Sequence, residues 1–198
     1  MTTIDLIPHM DAGKASEWQI DQNVRPLTKL GHRQSQAQAD ALTEALMGVR
    51  QGEKIEALYS GPALRSRETL APLAESLGLE IVVVDGLGDN ETWHVADGWD
   101  HEYNRGANVA PYAAGMAMAA LWDIQLAYPE GRVVGCSHGH VIPALISFLI
   151  AAHDLEDVPE SHGRGQWYRV RMDGADPSAP LRAGIVSIEL LEAPDFPS

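Results

Sequence analysis

Apolar positions along the chain change period several times, and each change marks an element. Residues 3–8 (TIDLIP) and 55–59 (IEALY) read as short strands. Between them, residues 28–49 read as a helix, with Thr28 placed as its N-cap and Leu42, Leu46 and Val49 at three- and four-residue spacing. A second helix is predicted over residues 62–77, with Pro62 at its first position and Gly78 just past its end. Pro72 lies inside that segment and is expected to kink or split it. Residues 80–84 (EIVVV) form a third strand, and the unbroken apolar run predicts burial on both faces. A long Ala- and Met-rich helix over 107–127, a strand over 132–136, a helix from about 140 to 152 and two strands over 166–172 and 184–191 complete the pattern. Strands alternating with helices predict a layered α/β fold with a mostly parallel sheet, in one domain spanning residues 1–198.

Three stretches lie outside that alternation. Residues 85–105 are polar, aromatic and turn-rich, the character of a lid or binding loop. Residues 153–165 and 173–182 also read as loops. The chain has 198 residues, 45% of them apolar, enough for one buried core. Its net charge of -14 repels nucleic acid and anionic lipid at long range, so neither is an expected partner. The longest apolar run, Val141 to Ala152, contains Pro143 and Ser147 and is too short to cross a bilayer. The first residues, MTTIDLIPHMD, lack a basic region and a signal-type apolar core. A lone cysteine, Cys136, excludes an internal disulfide framework and a multi-cysteine metal site. The expectation is a soluble, cytoplasmic, globular protein.

In an open parallel sheet, ligands bind beyond the carboxyl ends of the strands. The predicted first strand ends at Pro8-His9, the second leads into Pro62–Arg65, the third opens a loop carrying Asp89 and Glu91, and the fourth ends at Ser137-His138. Two imidazoles, a guanidinium and two carboxylates therefore project toward one crevice. Such a set suits phosphoryl transfer. An imidazole attacks phosphorus, a guanidinium and a second imidazole hold the equatorial oxygens, and a carboxylic acid protonates the leaving oxygen.

Four motifs in order carry a family likeness: Ile7-Pro8-His9-Met10; Arg25-Pro26-Leu27-Thr28 with Gly31; Ser60-Gly61-Pro62-Ala63-Leu64-Arg65-Ser66-Arg67-Glu68-Thr69; and Ser137-His138-Gly139. Over roughly residues 3 to 170 the chain resembles the histidine phosphatase (phosphoglycerate mutase-like) superfamily, and looks closest to its small branch of SixA-type phosphohistidine phosphatases. The resemblance implies a three-layer α/β/α fold and hydrolysis of a phosphomonoester or phosphohistidine without metal or organic cofactor. It implies His9 as nucleophile, Arg65 and His138 as phosphate ligands, and Asp89, with Glu91 as the alternative, as general acid. The partner would be a small phosphorylated substrate or a phosphoprotein.

One position departs from the family pattern. An arginine directly before the nucleophile is replaced by Pro8, which has neither charge nor backbone N–H. Losing one preorganised donor lowers a rate by about a hundred- to a thousand-fold. Lys14 and Arg25 are the nearest cations to substitute for it; otherwise the chain is a catalytically impaired relative that binds a phosphate-like ligand or partner. Met10 replaces the small residue usual after the nucleophile, which would narrow the pocket. A separate reading takes Gly135-Cys136-Ser137-His138-Gly139 as a G-x-S-x-G nucleophile elbow, with Ser137 serving an acyl hydrolase. His138-x-His140 reads as an incidental pair rather than a metal site. Trp93 and Trp99 as pocket or anchor residues, Trp167 and Tyr168 as packing, and Arg67, His32 and His94 as surface groups complete the expectations.

Overall fold

A computed structural model describes residues 1–47, 54–89, 102–156, 158–161, 165–174 and 184–196. Among them, six strands form one sheet: β1 (Thr2–Pro8), β2 (Ile55–Ser60), β3 (Ile81–Val83), β4 (Arg132–Ser137), β5 (Trp167–Asp173) and β6 (Gly184–Leu191). The spatial order is β3-β2-β4-β1-β5-β6. The first four strands run parallel, and β5 and β6 close one edge antiparallel. Helices α1 (Lys29–Met47), α2 (Leu64–Leu77), α3 (Glu102–Ala127) and α4 (Val141–His153) follow in chain order.

Alternation along the strands divides the core in two. Ile4 and Leu6 face Leu121 and Ile124 of α3 and Leu145 and Leu149 of α4. Ile7, Leu58 and Val134 face Leu42 of α1 and Leu70 and Leu73 of α2. The result is the expected α/β/α sandwich. Asp5 sits on β1 between these residues, fully buried, and is met by Arg132 at 2.8 Å and Arg169 at 2.8 Å. Among the described residues, no helix is long and apolar enough to cross a membrane.

Four local expectations need correction. β3 is a short edge strand, not a doubly buried one, and Val82 and Val83 are 43% and 47% exposed. Its β-branched run expresses strand propensity rather than burial. Helix α2 begins at Leu64 with Ala63 as N-cap, so Pro62 precedes it. Pro72 does not split α2. Proline leaves the carbonyl four residues back without its N–H partner, and here that carbonyl, on Glu68, accepts from the Ser35 hydroxyl of α1 at 3.2 Å. Ser35 also donates to Thr69 O at 2.7 Å, so a side chain from the neighbouring helix replaces the missing donor. Finally, α3 starts at Glu102, which converts residues 102–105 of the predicted loop into helix.

Candidate active site

The backbone pairing of β1 with β4 sets the site. His9 N donates to Ser137 O at 2.9 Å, one residue past the strand, which brings His9 beside His138. Their ring centroids lie 5.3 Å apart, edge to face. His9 Nδ1 lies 2.7 Å from the Met10 carbonyl. A carbonyl only accepts, so Nδ1 carries the proton and the lone pair of this ring is on Nε2.

The loop after His9 is held from three sides. Met10 N donates to Thr69 Oγ1 at 3.0 Å, and the Thr69 hydroxyl donates to Arg65 O at 2.8 Å, tying the His9 loop to α2. Thr28 caps α1 by accepting from Gly31 N at 3.1 Å, and its hydroxyl donates to the Asp11 carboxylate at 2.5 Å. Gly31 is required here, because a Cβ would stand 2.0 Å from Asp11 O. The Met10 side chain does not narrow a pocket; it is buried against Ala12 and Leu27.

Arg65, in the first turn of α2, is fully buried. Its Nη1 donates to Gln22 O at 2.5 Å, and its Nη2 reaches both the Asp89 carboxylate and His138 Nδ1, the latter at 3.3 Å. Asp89 follows the short 3-10 turn Asp85–Leu87, which packs closely on the start of the Arg65 segment. A Cβ on Gly61 would stand 2.2 Å from Leu87 O, so glycine lets the two segments touch. Asp89 Oδ2 lies 3.4 Å from His138 Nδ1, and Oδ1 lies 2.6 Å from His140 Nε2. His138 Nε2 in turn lies 3.4 Å from the Ser66 hydroxyl. One carboxylate thus sits among a guanidinium and two imidazoles, beside His9.

The electrostatics follow from that arrangement. Burial opposes ionisation of Asp89, but the His140 hydrogen bond and the charges of His138, His140 and Arg65 prevail and hold its carboxyl well below the usual carboxylate range. Burial pushes the His138 imidazole down to about 3; the Asp89 charge opposes this, and His9, Arg65 and His140 add to it. At neutral pH, the site without substrate therefore holds a carboxylate and a neutral His138. Arg65 donates to Nδ1 of that ring, which leaves its Nε2–H to donate to Ser66.

Of the predicted site residues, the structure brings His9, Arg65, His138 and Asp89 together. Lys14 instead pairs with Glu17 at 3.3 Å on the surface, 77% exposed. Arg25 is buried, and its Nη1 donates to Ala12 O at 3.2 Å and Gly13 O at 3.0 Å, bracing the loop. Glu91, Trp93, His94 and Trp99 lie outside the described residues. Ser137 is buried and donates to Leu87 O at 2.9 Å, a structural bond rather than the posture of an exposed nucleophile. Cys136 is buried in the core, and burial pushes its thiol up. Trp167 and Tyr168 pack as expected, and Arg67 and His32 are exposed. No group of three or more potential metal ligands occurs among the described residues.

His140 is a site residue that sequence reasoning missed. It is the N-cap residue of α4, half exposed, with its ring on Asp89. The H-x-H spacing was a usable signal, but it points the second imidazole at a carboxylate, not at a metal.

Comparison with known proteins bears on the fold and on one segment of the chain. The signature of the "Histidine phosphatase superfamily (branch 1)" matches residues 13–94, which include Arg65 and Asp89 and begin just after His9. The chain is 30% identical over 146 residues to an "8-oxo-(d)GTP phosphatase" of Mycolicibacterium smegmatis, covering 74% of this chain. It spans only 37% of the length of that relative. A mycobacterial glucosyl-3-phosphoglycerate phosphatase has the same fold, with a TM-score of 0.65, 18% identity, and 96% of this chain and 98% of that one covered. The protein histidine phosphatase SixA, solved with tungstate, gives 0.60 at 19% identity, with 95% and 96% covered. Residues 13–94, with Arg65 and Asp89 among them, thus carry the signature of the histidine phosphatase superfamily, and the backbone shares the fold of solved phosphatases over nearly its whole length.

Proposed function

We propose that the protein is a phosphatase that hydrolyses a phosphomonoester, or a phosphohistidine on a partner protein, through a phosphohistidine intermediate on His9. The observation that carries this reading is the convergence of buried Arg65 and His138 beside the His9 ring, around a single carboxylate. Supporting it, the matched relatives named above are all phosphatases by name.

The chemistry runs in two steps. His9 Nε2 forms a bond to phosphorus as the bond from phosphorus to the ester oxygen breaks, and Asp89 gives that oxygen its proton. Water then attacks the phosphohistidine, Asp89 takes the proton, and phosphate leaves with His9 restored. In the substrate-free site, Asp89 is ionised, so it is not yet an acid. An incoming phosphoryl dianion competes for the same donors on Arg65. It displaces the carboxylate and, as a like charge nearby, raises its proton affinity. Half-exposed His140, hydrogen-bonded to Asp89, passes that proton from solvent.

Pro8 favours a second reading, a phosphate-binding relative with little turnover, because it withholds a cation next to the nucleophile. Hydrolysis of para-nitrophenyl phosphate at mildly acidic pH separates the two. Turnover by the wild type that is lost in His9→Ala supports the enzyme. An inactive wild type that gains turnover with Pro8→Arg supports the impaired relative, and equal rates in wild type and His9→Ala remove the histidine nucleophile.

A further inference from the structure

Next to the His9 cradle lies a cavity of about 270 Å³ whose walls include Pro8, Ile142, Pro143 and Tyr168. Its position is set by strand alternation. Pro8 shares the face of Leu6, toward α4, whereas His9 turns to the α2 side with Arg65. Gly139, which follows His138 directly, also lines it. The cavity and the cradle are thus two sides of the same strand ends. A phosphomonoester lying across that edge has its phosphoryl group at His9 and its organic group against Pro8.

The chemistry of the lining selects the organic group. Among the described residues that line the cavity, none is charged. The Tyr168 hydroxyl is engaged internally, donating to Pro159 O at 2.9 Å and accepting from Ser161 N at 2.7 Å, so its ring serves as wall. Ser161 and Gln166 supply the polar atoms, with the Ser161 hydroxyl 3.3 Å from Gln166 Oε1. The volume is larger than the roughly 150 Å³ apolar cavity that accepts benzene, so one substituted ring or a compact fused pair fits.

We propose that this cavity is the subsite for the ester's organic group and that it selects phosphomonoesters of ring-bearing alcohols or phenols over those of small aliphatic alcohols. The proposal rests on the phosphatase reading and names its substrate class.

Benzyl phosphate and methyl phosphate are suitable probes, because each loses an alkyl alcohol. The wild type should turn over benzyl phosphate with a kcat/KM at least tenfold above that for methyl phosphate. A Cβ at Gly139 meets nothing within 4 Å, so Gly139→Leu adds bulk there without a backbone clash. That variant should bring the benzyl-to-methyl ratio close to one. An unchanged ratio overturns the subsite. Binding to His9→Ala protein, followed by the Ile142 methyl resonance, tests it without turnover and with Gly139 in place. Benzyl phosphate should bind at least tenfold tighter than methyl phosphate and shift that resonance; equal affinities with no shift overturn the proposal. Equal turnover by wild type and His9→Ala would instead defeat the nucleophile assignment, and the binding comparison would still decide the subsite.

Discussion

Asp89→Asn isolates the role of the carboxylate that occupies the cradle. Asp89 is 5% exposed and Arg65 is fully buried, so their ion pair is shielded from water. Removing one partner of a buried pair typically costs about 3–5 kcal/mol. Asparagine keeps an oxygen that accepts from Arg65, which puts the expected loss near 3 kcal/mol. For a chain of 198 residues, each kcal/mol lowers Tm by about 2–4 °C, so thermal unfolding should shift down by roughly 6–12 °C. Vanadate should reverse much of that loss. It supplies the missing negative charge to Arg65 and no longer competes with a carboxylate, so its stabilising shift in Asp89→Asn should exceed the wild-type shift by several degrees. Turnover should nevertheless fall about 10²- to 10⁴-fold, because the proton donor is gone. Tighter oxyanion binding with lost hydrolysis is the signature of a group that alternates between anion surrogate and acid. Calorimetry with and without vanadate reads both effects. An unchanged Tm, or a vanadate shift no larger than in wild type, would refute the idea that Asp89 stands where the substrate anion binds.

Three further outcomes follow from the same geometry. Pro8→Arg puts a guanidinium beside the nucleophile and should raise kcat on para-nitrophenyl phosphate by about a hundredfold, while its side chain, occupying part of the adjoining cavity of about 270 Å³, raises KM for that aryl ester. His138 is held at about 3 when folded, against 6.5 for an unperturbed imidazole, so between these values the unfolded chain binds the extra proton. Stability should therefore fall as pH drops from 6 to 4, by about 1.4 kcal/mol per pH unit for that proton, and more steeply below 4, where the depressed Asp89 adds a second; denaturant melts of wild type and His138→Gln across this range should show the upper slope only in the wild type. Ser35→Ala removes the donor that serves the Glu68 and Thr69 carbonyls near Pro72 and should cost about 1–3 kcal/mol in the same melts, with an unaltered midpoint contradicting that account.

What could be read from the sequence was whatever depends on local pattern. Strand ends are local, so His9, Arg65, His138 and Asp89 were legible as a cluster once the alternation implied a parallel sheet. The Thr28 cap was legible for the same reason. What failed depended on neighbours. Pro72 reads as a break until Ser35 of another helix is seen on the Glu68 carbonyl. The Val82–Val84 run reads as buried until its place at the sheet edge is known. His140 looks incidental because its partner, Asp89, is far along the chain. Lys14 and Arg25 are near the nucleophile in sequence, but their charged groups serve Glu17 and two loop carbonyls.

A crystal grown with vanadate tests the central claim most directly. The account predicts one vanadate with its oxygens on Arg65 and His138, vanadium in line with His9 Nε2, and the Asp89 carboxylate withdrawn from Arg65. A vanadate bound elsewhere, with Asp89 still paired to Arg65 in a crystal saturated with the anion, would contradict it.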